Sequence, residues 1–389
     1  MLNLPLSGVR VADFTQALSG PYCTMQLADL GADVVKIERP HTGDDSRNWG
    51  PPFVGDTASY FLSVNRSKRS VALDLKTPDG VATALELIAQ SDVVVENWTP
   101  GTAERLGLGY TEAAKHRPNL VYCAISGYGD DSPLPGYDQV VQGTSGWMSM
   151  TGRPDGEPTK VGIPVADVAT GMFACQAILA AVLRRDRTGQ GAYIDVAMQD
   201  SLIAMLAYHA GAYLSTGDSP RRNGNQHNTV APYGTFTASD GRVNIAVGND
   251  RQWGRLCSHL GCESLATDER FGSNPARSRN RPALYVEFER TLSALTVDQV
   301  LTAARAAGVP AGPINTVQEV LDDQRTSERG TVLASEHPRL GTVRSISSPW
   351  RFDGVRPDSH RPPPDLGEHT DEVLHELGVE STFDTVNAG

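Results

Sequence analysis

The sequence predicts an α/β fold: a doubly wound, Rossmann-like domain built on a parallel sheet, followed by a smaller α+β domain. Three observations lead there. A strand, a helix and a second strand open the chain, and the alternation then repeats. The strand segments are short valine-rich runs, the type buried on both faces. Beyond a break rich in Pro, Arg and Asn, the pattern turns into a hairpin followed by helices.

Taken in order, Val9-Arg10-Val11-Ala12-Asp13-Phe14 reads as the first strand. Residues 16–21 read as a turn, 22–30 as a helix and 34–38 as the second strand. Residues 70–75 are the third strand, and 78–90 a helix with proline in its first turn, where a missing N–H is tolerated. Strands follow at 93–96 and 121–126. An almost wholly apolar helix runs from Asp167 to Leu183, and a strand at 193–197 closes the series. A further helix spans 200–214. The break at 219–225 sets the boundaries: a large domain over 1–215, a linker over 216–232 and a small domain over 233–312. The small domain holds two strands around the turn Ser239-Asp240-Gly241, then helices at 251–260, 282–292 and 296–307. The remainder, 313–389, is a linker and C-terminal segment with a short helix at 317–323 and short strands beyond Gly330. The Pro-rich turn Arg361-Pro362-Pro363-Pro364 and a last helix at 370–377 follow.

At 389 residues the chain is long enough for two cores. Its net charge of −12 argues against nucleic-acid or membrane-surface binding, so an anionic ligand needs a local basic site. The five cysteines are odd in number and lack zinc-ligand spacing, so no metal is expected and reduced, buried thiols are. The start shows no signal-peptide pattern, and a cytoplasmic location is expected. In a doubly wound sheet the ligand sits beyond the carboxyl ends of the strands, where Gln16, Arg39, Lys76, Asn97 and Ser126-Gly127 fall. No G-x-G-x-x-G opens the first helix, so a dinucleotide cofactor is not expected.

The stretch VGIPVADVATGMFACQAILAAVLRRDRTGQ places one carboxylate, Asp167, at the mouth of the apolar helix. Arg184, Arg185, Asp186 and Arg187 follow too soon for a membrane span. On spacing alone Asp167 is an N-cap, its oxygen accepting from the amide of Ala169 or Thr170. The competing reading is a carboxylate nucleophile at the positive end of a helix dipole. The two differ in chemistry, since a cap occupies lone pairs that a nucleophile needs.

Gly162, Ala166, Asp167 and Gly171 form a G-x-x-x-A-D-x-x-x-G pattern that resembles the signature of the family III CoA-transferases. That family includes formyl-CoA:oxalate, succinyl-CoA-dependent and carnitine CoA-transferases. The runs GPYCTMQLADLGADVVKIERP, NRSKRSVALDLKTPDG, DVVVENWTPGTAERLGLGY, RTGQGAYIDVAMQDS and LGEHTDEVL extend the resemblance over nearly the whole chain. It implies that Asp167 attacks an acyl-CoA thioester and passes through an aspartyl anhydride and an aspartyl-CoA thioester. CoA and acyl-CoA are then substrates, with no permanently bound cofactor. Carried over position by position, it implies CoA contacts from Gln16, Ala17, Leu18 and Ser19 in the first loop, and from Arg39 at a phosphate. Leu73 with Lys76, Asn97 with Trp98, and Arg105 follow, and Tyr137 and Asp138 lie beside the thioester. It implies also an interlocked homodimer, and a C-terminal segment that returns to the large domain.

CoA carries a diphosphate, a 3′-phosphate and adenine, and so needs cations, amides and a flat apolar surface. Arg39, Lys68, Arg69, Lys76 and Arg105 are the candidate cations and Trp98 the flat face; singly, each cation also reads as a solvated surface charge. The expected acceptor is a small mono- or dicarboxylate, with Arg66, Lys68 and Arg69 assigned to its second carboxylate on charge alone. Departures from the formyl-CoA enzyme narrow this. Gln16 stands where that enzyme has His, Leu18 where it has Gln, and Pro135 where it has Lys. Its glycine-rich flap is absent, the run from Arg222 to His227 resembling the shorter version of other members. Oxalate specificity is therefore not expected. The related α-methylacyl-CoA racemases pair the Asp with a His in a Gly-His-Asp run. Here the run is Gly136-Tyr137-Asp138, and a Tyr with a pKa of about 10 is a poor base at neutral pH. A transferase is the preferred reading; a racemase-type isomerase and a non-catalytic CoA-binding protein are the alternatives.

Overall fold

The computed structural model describes residues 4–357 and 361–379. The outermost residues of the segments bounded above at 1–215 and 313–389 lie outside the described residues. The chain divides into two compact units, one of 1–148, 160–219 and 325–389, the other of 149–159 and 220–324. Residues 149–159 thus belong with the second unit and not with the sequence-bounded large domain, and the second unit extends on through residue 324.

The first unit is built on six parallel strands: β1 (Arg10–Asp13), β2 (Asp33–Glu38), β3 (Lys68–Ala72), β4 (Val93–Glu96), β5 (Val121–Ser126) and β6 (Ala192–Ala197). Their order is β3-β2-β1-β4-β5-β6, with Ala12 in register with Val35 on one side and Val94 on the other. The inner strands are covered on both faces, which is why β4 and β5 read as largely apolar runs. Val11, Val34, Val93, Val95, Val121, Cys123 and Ile125 point to one face. Their neighbours Ala12, Val35, Val94, Tyr122 and Ala124 point to the other, as the period of two requires.

The first face is closed by α1 (Ser19–Asp29) and the long helix α4 (Val165–Thr188), through Cys23 and Leu27 of one and Ala174, Cys175 and Ile178 of the other. On the second face lie α2 (Pro78–Ala89) and the C-terminal helix Thr370–Leu377, through Ala84, Leu87, Val373 and Leu377. Two short helices, α3 (Asp138–Thr144) and α5 (Met198–Ala204), flank α4, and Val141 and Leu202 share a small core with its first turn. Helix α1 begins three residues before the expected Tyr22. Gly20 and Pro21 are helical residues of its first turn, where proline lacks no hydrogen bond. The helix expected over 200–214 is two helices, broken where Ala207 adopts a positive φ of 45°.

The second unit carries a three-stranded antiparallel sheet: Tyr233–Thr237, Arg242–Ala246 and Ala311–Pro313. The first two strands form the hairpin that Asp240-Gly241 announces. Helices Asp250–Leu260, Arg281–Leu292 and Val297–Ala307 pack Trp253, Phe288 and Val300 against Phe236 of the sheet. All five cysteines are free and buried.

Candidate active site

The sheet order reverses direction between β1 and β4, so a crevice opens beyond the carboxyl ends of these two strands. The loop after β1 enters it and is held there from two sides. Asn97, just past β4, accepts from the Gln16 amide and donates to the Gln16 carbonyl, both at 2.8 Å. Asp44 Oδ1 accepts from the Ala17 amide at 3.2 Å. The clamp is needed because Ala17 sits at φ +64°, a left-handed conformation that costs a residue with a Cβ about 1 kcal/mol. Asp44 is itself fixed by Lys36, 3.0 Å from its Oδ2, and Lys36 Nζ also donates to the Thr15 carbonyl at 2.6 Å. Burial would raise the Asp44 pKa, but the Lys36 charge and the hydrogen bonds from Ser46 outweigh it and hold it at about 2.

Asp167 projects from the first turn of α4. The helix starts at Val165 after Pro164, so Asp167 is its third residue and not its N-cap. The cap comes from elsewhere: Asp138 Oδ1 accepts from the Ala166 amide at 2.8 Å. Asp138 Oδ2 accepts from Gln142 Nε2 at 2.7 Å, and Gln142 Oε1 accepts from the Val161 amide at 2.8 Å. This corrects the local-cap expectation for Asp167. Its oxygens are spared that duty, which leaves lone pairs for chemistry.

Gly171, one turn further on, sets how near α4 comes to α1. A Cβ there would stand 2.6 Å from the Ser19 carbonyl oxygen, well inside contact distance. The close approach brings the Asp167 carboxylate to Ser19, whose amide and hydroxyl hydrogen-bond to it. Burial, and next the Asp138 charge, raise the Asp167 pKa to about 7, against the pull of Ser19. A carboxylate this basic is a better nucleophile than a solvated one while still ionising near neutrality. The free enzyme should therefore gain kcat/KM as pH rises through about 7 and level off above it. Asp138→Asn, which keeps an oxygen for Ala166 but loses the like charge, should move that limb down by on the order of half a unit to one unit. A pH–rate profile checks this, and an unmoved limb refutes it.

Two cavities adjoin at Gln16 and Trp98. The larger, about 620 Å³, is lined by Gln16, Ala17, Leu18, Ser19, Asn97, Trp98, Tyr137, Asp138 and Asp167. The smaller, about 240 Å³, is lined by Gln16, Arg39, Leu73, Lys76 and Trp98. Asp167 and every residue carried over as a CoA contact thus line one or the other, except Arg105. Arg105 lines neither and donates instead to Thr102 Oγ1 at 2.7 Å. Arg39 is ion-paired with Asp45 and donates to the Gly43 carbonyl at 3.1 Å, so any anionic ligand there competes with a carboxylate for it. Trp49, Tyr60, Lys160, Pro164 and Met198 line the larger cavity too and were not expected from sequence. Trp49 and Tyr60 pack edge to face at 5.2 Å, and burial, then the charges of Asp167 and Asp138, push the Tyr60 phenol up to about 12. Gly127 and Gly136, opposite each other in the wall, approach so closely that a Cβ on Gly136 would lie 2.3 Å from Gly127 Cα.

The sequence matches CoA-transferase family III over residues 6–370. The chain belongs to that family. It is 40% identical over 380 residues to succinyl-CoA:glutarate CoA-transferase of Mus musculus, covering 96% of this chain and 86% of the relative. It is 41% identical over 386 residues to succinate–glutarate CoA-transferase of Agrobacterium fabrum, covering 96% of each. Among solved structures it resembles a CAIB/BAIF family protein from Brucella suis, with a TM-score of 0.86 and 41% identity over 96% of this chain and 100% of that one.

In this family III CoA-transferase the cations Arg66, Lys68 and Arg69 do not face the cavities, which corrects their assignment to an acceptor carboxylate. All three are buried. Arg66 is paired with Asp29, its Nε 3.0 Å from Oδ1. Lys68 Nζ lies 3.1 Å from Asp13 Oδ2 and donates to Asn65 Oδ1 at 2.8 Å. Arg69 bridges Asp33 at 2.6 Å and Glu376 at 2.8 Å. Cations buried this deeply need anions of the protein itself, so they hold elements together and are not available to a ligand.

Proposed function

We propose that this CoA-transferase moves CoA from an acyl-CoA donor to a small dicarboxylic acid, with Asp167 carrying the acyl group and then CoA itself. The observation that carries the reading is the Asp167 carboxylate, relieved of capping by Asp138 and standing at the larger of two adjoining cavities. The smaller cavity, with Arg39, Lys76 and Trp98, suits the phosphates and adenine of CoA, and the larger suits the pantetheine arm and both acids. Relatives named for succinyl-CoA and glutarate support a dicarboxylate.

In the first step an Asp167 oxygen bonds to the thioester carbonyl carbon, the amide of Ser19 stands by the developing oxyanion, and the CoA thiolate leaves. The thiolate then attacks the Asp167 carbonyl, releasing the donor acid and leaving an aspartyl-CoA thioester. The acceptor carboxylate repeats the two steps in reverse, so no thioester free energy is lost. These steps use no metal. The racemase pairing of Asp with His finds no match: among the described residues lining the larger cavity there is no His.

The experiment is a matrix of acyl-CoA donors against mono- and dicarboxylic acids, read by mass spectrometry of both products. A trapped mass increment on the peptide holding Asp167 is expected, and exchange without any Asp167 adduct would count against the covalent route. The resemblance also supports an interlocked homodimer, and apolar side chains are available to cover: Met172 and Leu183 on α4, and Tyr213 and Leu214 on Tyr208–Thr216, are exposed in one chain. Light scattering at micromolar protein should give twice the mass of 41.7 kDa, and a monomer would overturn the dimer. The reduced, buried thiols suit the cytoplasm, where we place the enzyme.

A further inference from the structure

The larger cavity is short of positive charge for an enzyme whose substrates are acids. Asp45, Asp138 and Asp167 all line it, and an acceptor reaching Asp167 meets like charge. Arg39, at the other cavity, is engaged with Asp45. Among the described residues lining the larger cavity, Lys160 is the one Lys or Arg. It is exposed and has no carboxylate partner among the described residues; its Nζ reaches only its neighbour's carbonyl, Val161 O, at 3.3 Å.

The root of that side chain is fixed even though its tip is not. The adjoining Val161 amide is held by Gln142 at 2.8 Å, and Gln142 in turn holds Asp138, the cap of α4. The backbone beside Lys160 is therefore tied into the hydrogen-bond chain that positions Asp167. What stays free is an ammonium on a four-carbon stem, which can meet a carboxylate over a range of distances.

We propose that Lys160 binds the distal carboxylate of the acceptor, the one not bonded to Asp167, and so sets the preference for dicarboxylic over monocarboxylic acids. The proposal rests on the Asp167 reading above. It offsets the repulsion from Asp138 at the point where the second charge must sit, and it makes Lys160 a specificity residue with no part in bond making.

The test compares glutarate with butyrate, acids differing by one carboxylate for a hydrogen, in wild type, Lys160→Met and Lys160→Arg. Steady-state exchange and direct calorimetric binding are both measured. Lys160→Met should raise the ratio of glutarate KM to butyrate KM about tenfold or more, with kcat for glutarate far less affected, and Lys160→Arg should restore most of it. The glutarate affinity by calorimetry should fall in parallel. An equal change for both acids, no change for glutarate, or no glutarate binding to wild type overturns the proposal. If wild type binds glutarate through Lys160 but exchanges nothing, the catalytic reading fails and this inference stands. If it exchanges both acids and Lys160→Met treats them alike, the reverse holds.

Discussion

Asp167→Asn should lower CoA exchange by about ten-thousand-fold or more, because the atom proposed to form both covalent intermediates is gone. Affinity for CoA should change little, since the groups proposed to hold it are untouched. The amide can still accept from Ser19, so the fold should persist. The variant should in fact be the more stable protein at alkaline pH. The folded-state pKa of Asp167, about 7, lies above the ordinary carboxylate value. Its favourable contribution is therefore complete below about pH 4 and is lost as pH rises through about 7, where the buried group is forced to ionise. At pH 8 the Asn variant avoids that cost, on the order of 4 kcal/mol, and should melt at a higher temperature than wild type. Retention of more than about a hundredth of the wild-type rate would remove Asp167 from the chemistry.

The largest effect on stability is expected at Asp29. It lies at the end of α1, buried, and receives both the Arg66 guanidinium and the Ser348 hydroxyl. Asp29→Ala leaves a buried guanidinium without its anion, which costs about 3–5 kcal/mol. It also cuts the link between the first helix and the C-terminal segment. Denaturant melts should show a lower midpoint with an unchanged slope. Adding Arg66→Met should recover part of the loss, since the uncompensated charge goes with it. Single and double variants of equal stability would mean that the pair is not coupled.

These two residues mark where sequence reading works and where it stops. The sheet was legible because β1, β2, β4 and β5 are valine-rich runs buried on both faces, and their boundaries follow from that pattern alone. The start of α1 was misplaced because Gly20-Pro21 is a turn signal by composition, yet proline is equally at home in the first helical turn. Asp167 stood out through its motif, but its spacing pointed to a cap. The true cap is 28 residues away from the amide it serves, and no local pattern announces such a bond. Arg66, Lys68 and Arg69 lie in a strongly basic run that looks solvated. Their burial depends on Asp29, Asp13, Asp33 and Glu376, the last more than three hundred residues away in the chain. Trp49, Tyr60 and Lys160 reach the cavity by folding alone and belong to no pattern read from the sequence.

The contact of Gly127 with Gly136 has a bearing on re-engineering the enzyme. Backbone meets backbone there, so any added methyl displaces the opposite segment instead of merely filling space. Libraries seeking a new acid preference would waste their members at these two sites. Variation belongs at Leu134, Pro135, Tyr137 and Lys160, whose side chains can change size or sign while the wall behind them keeps its shape.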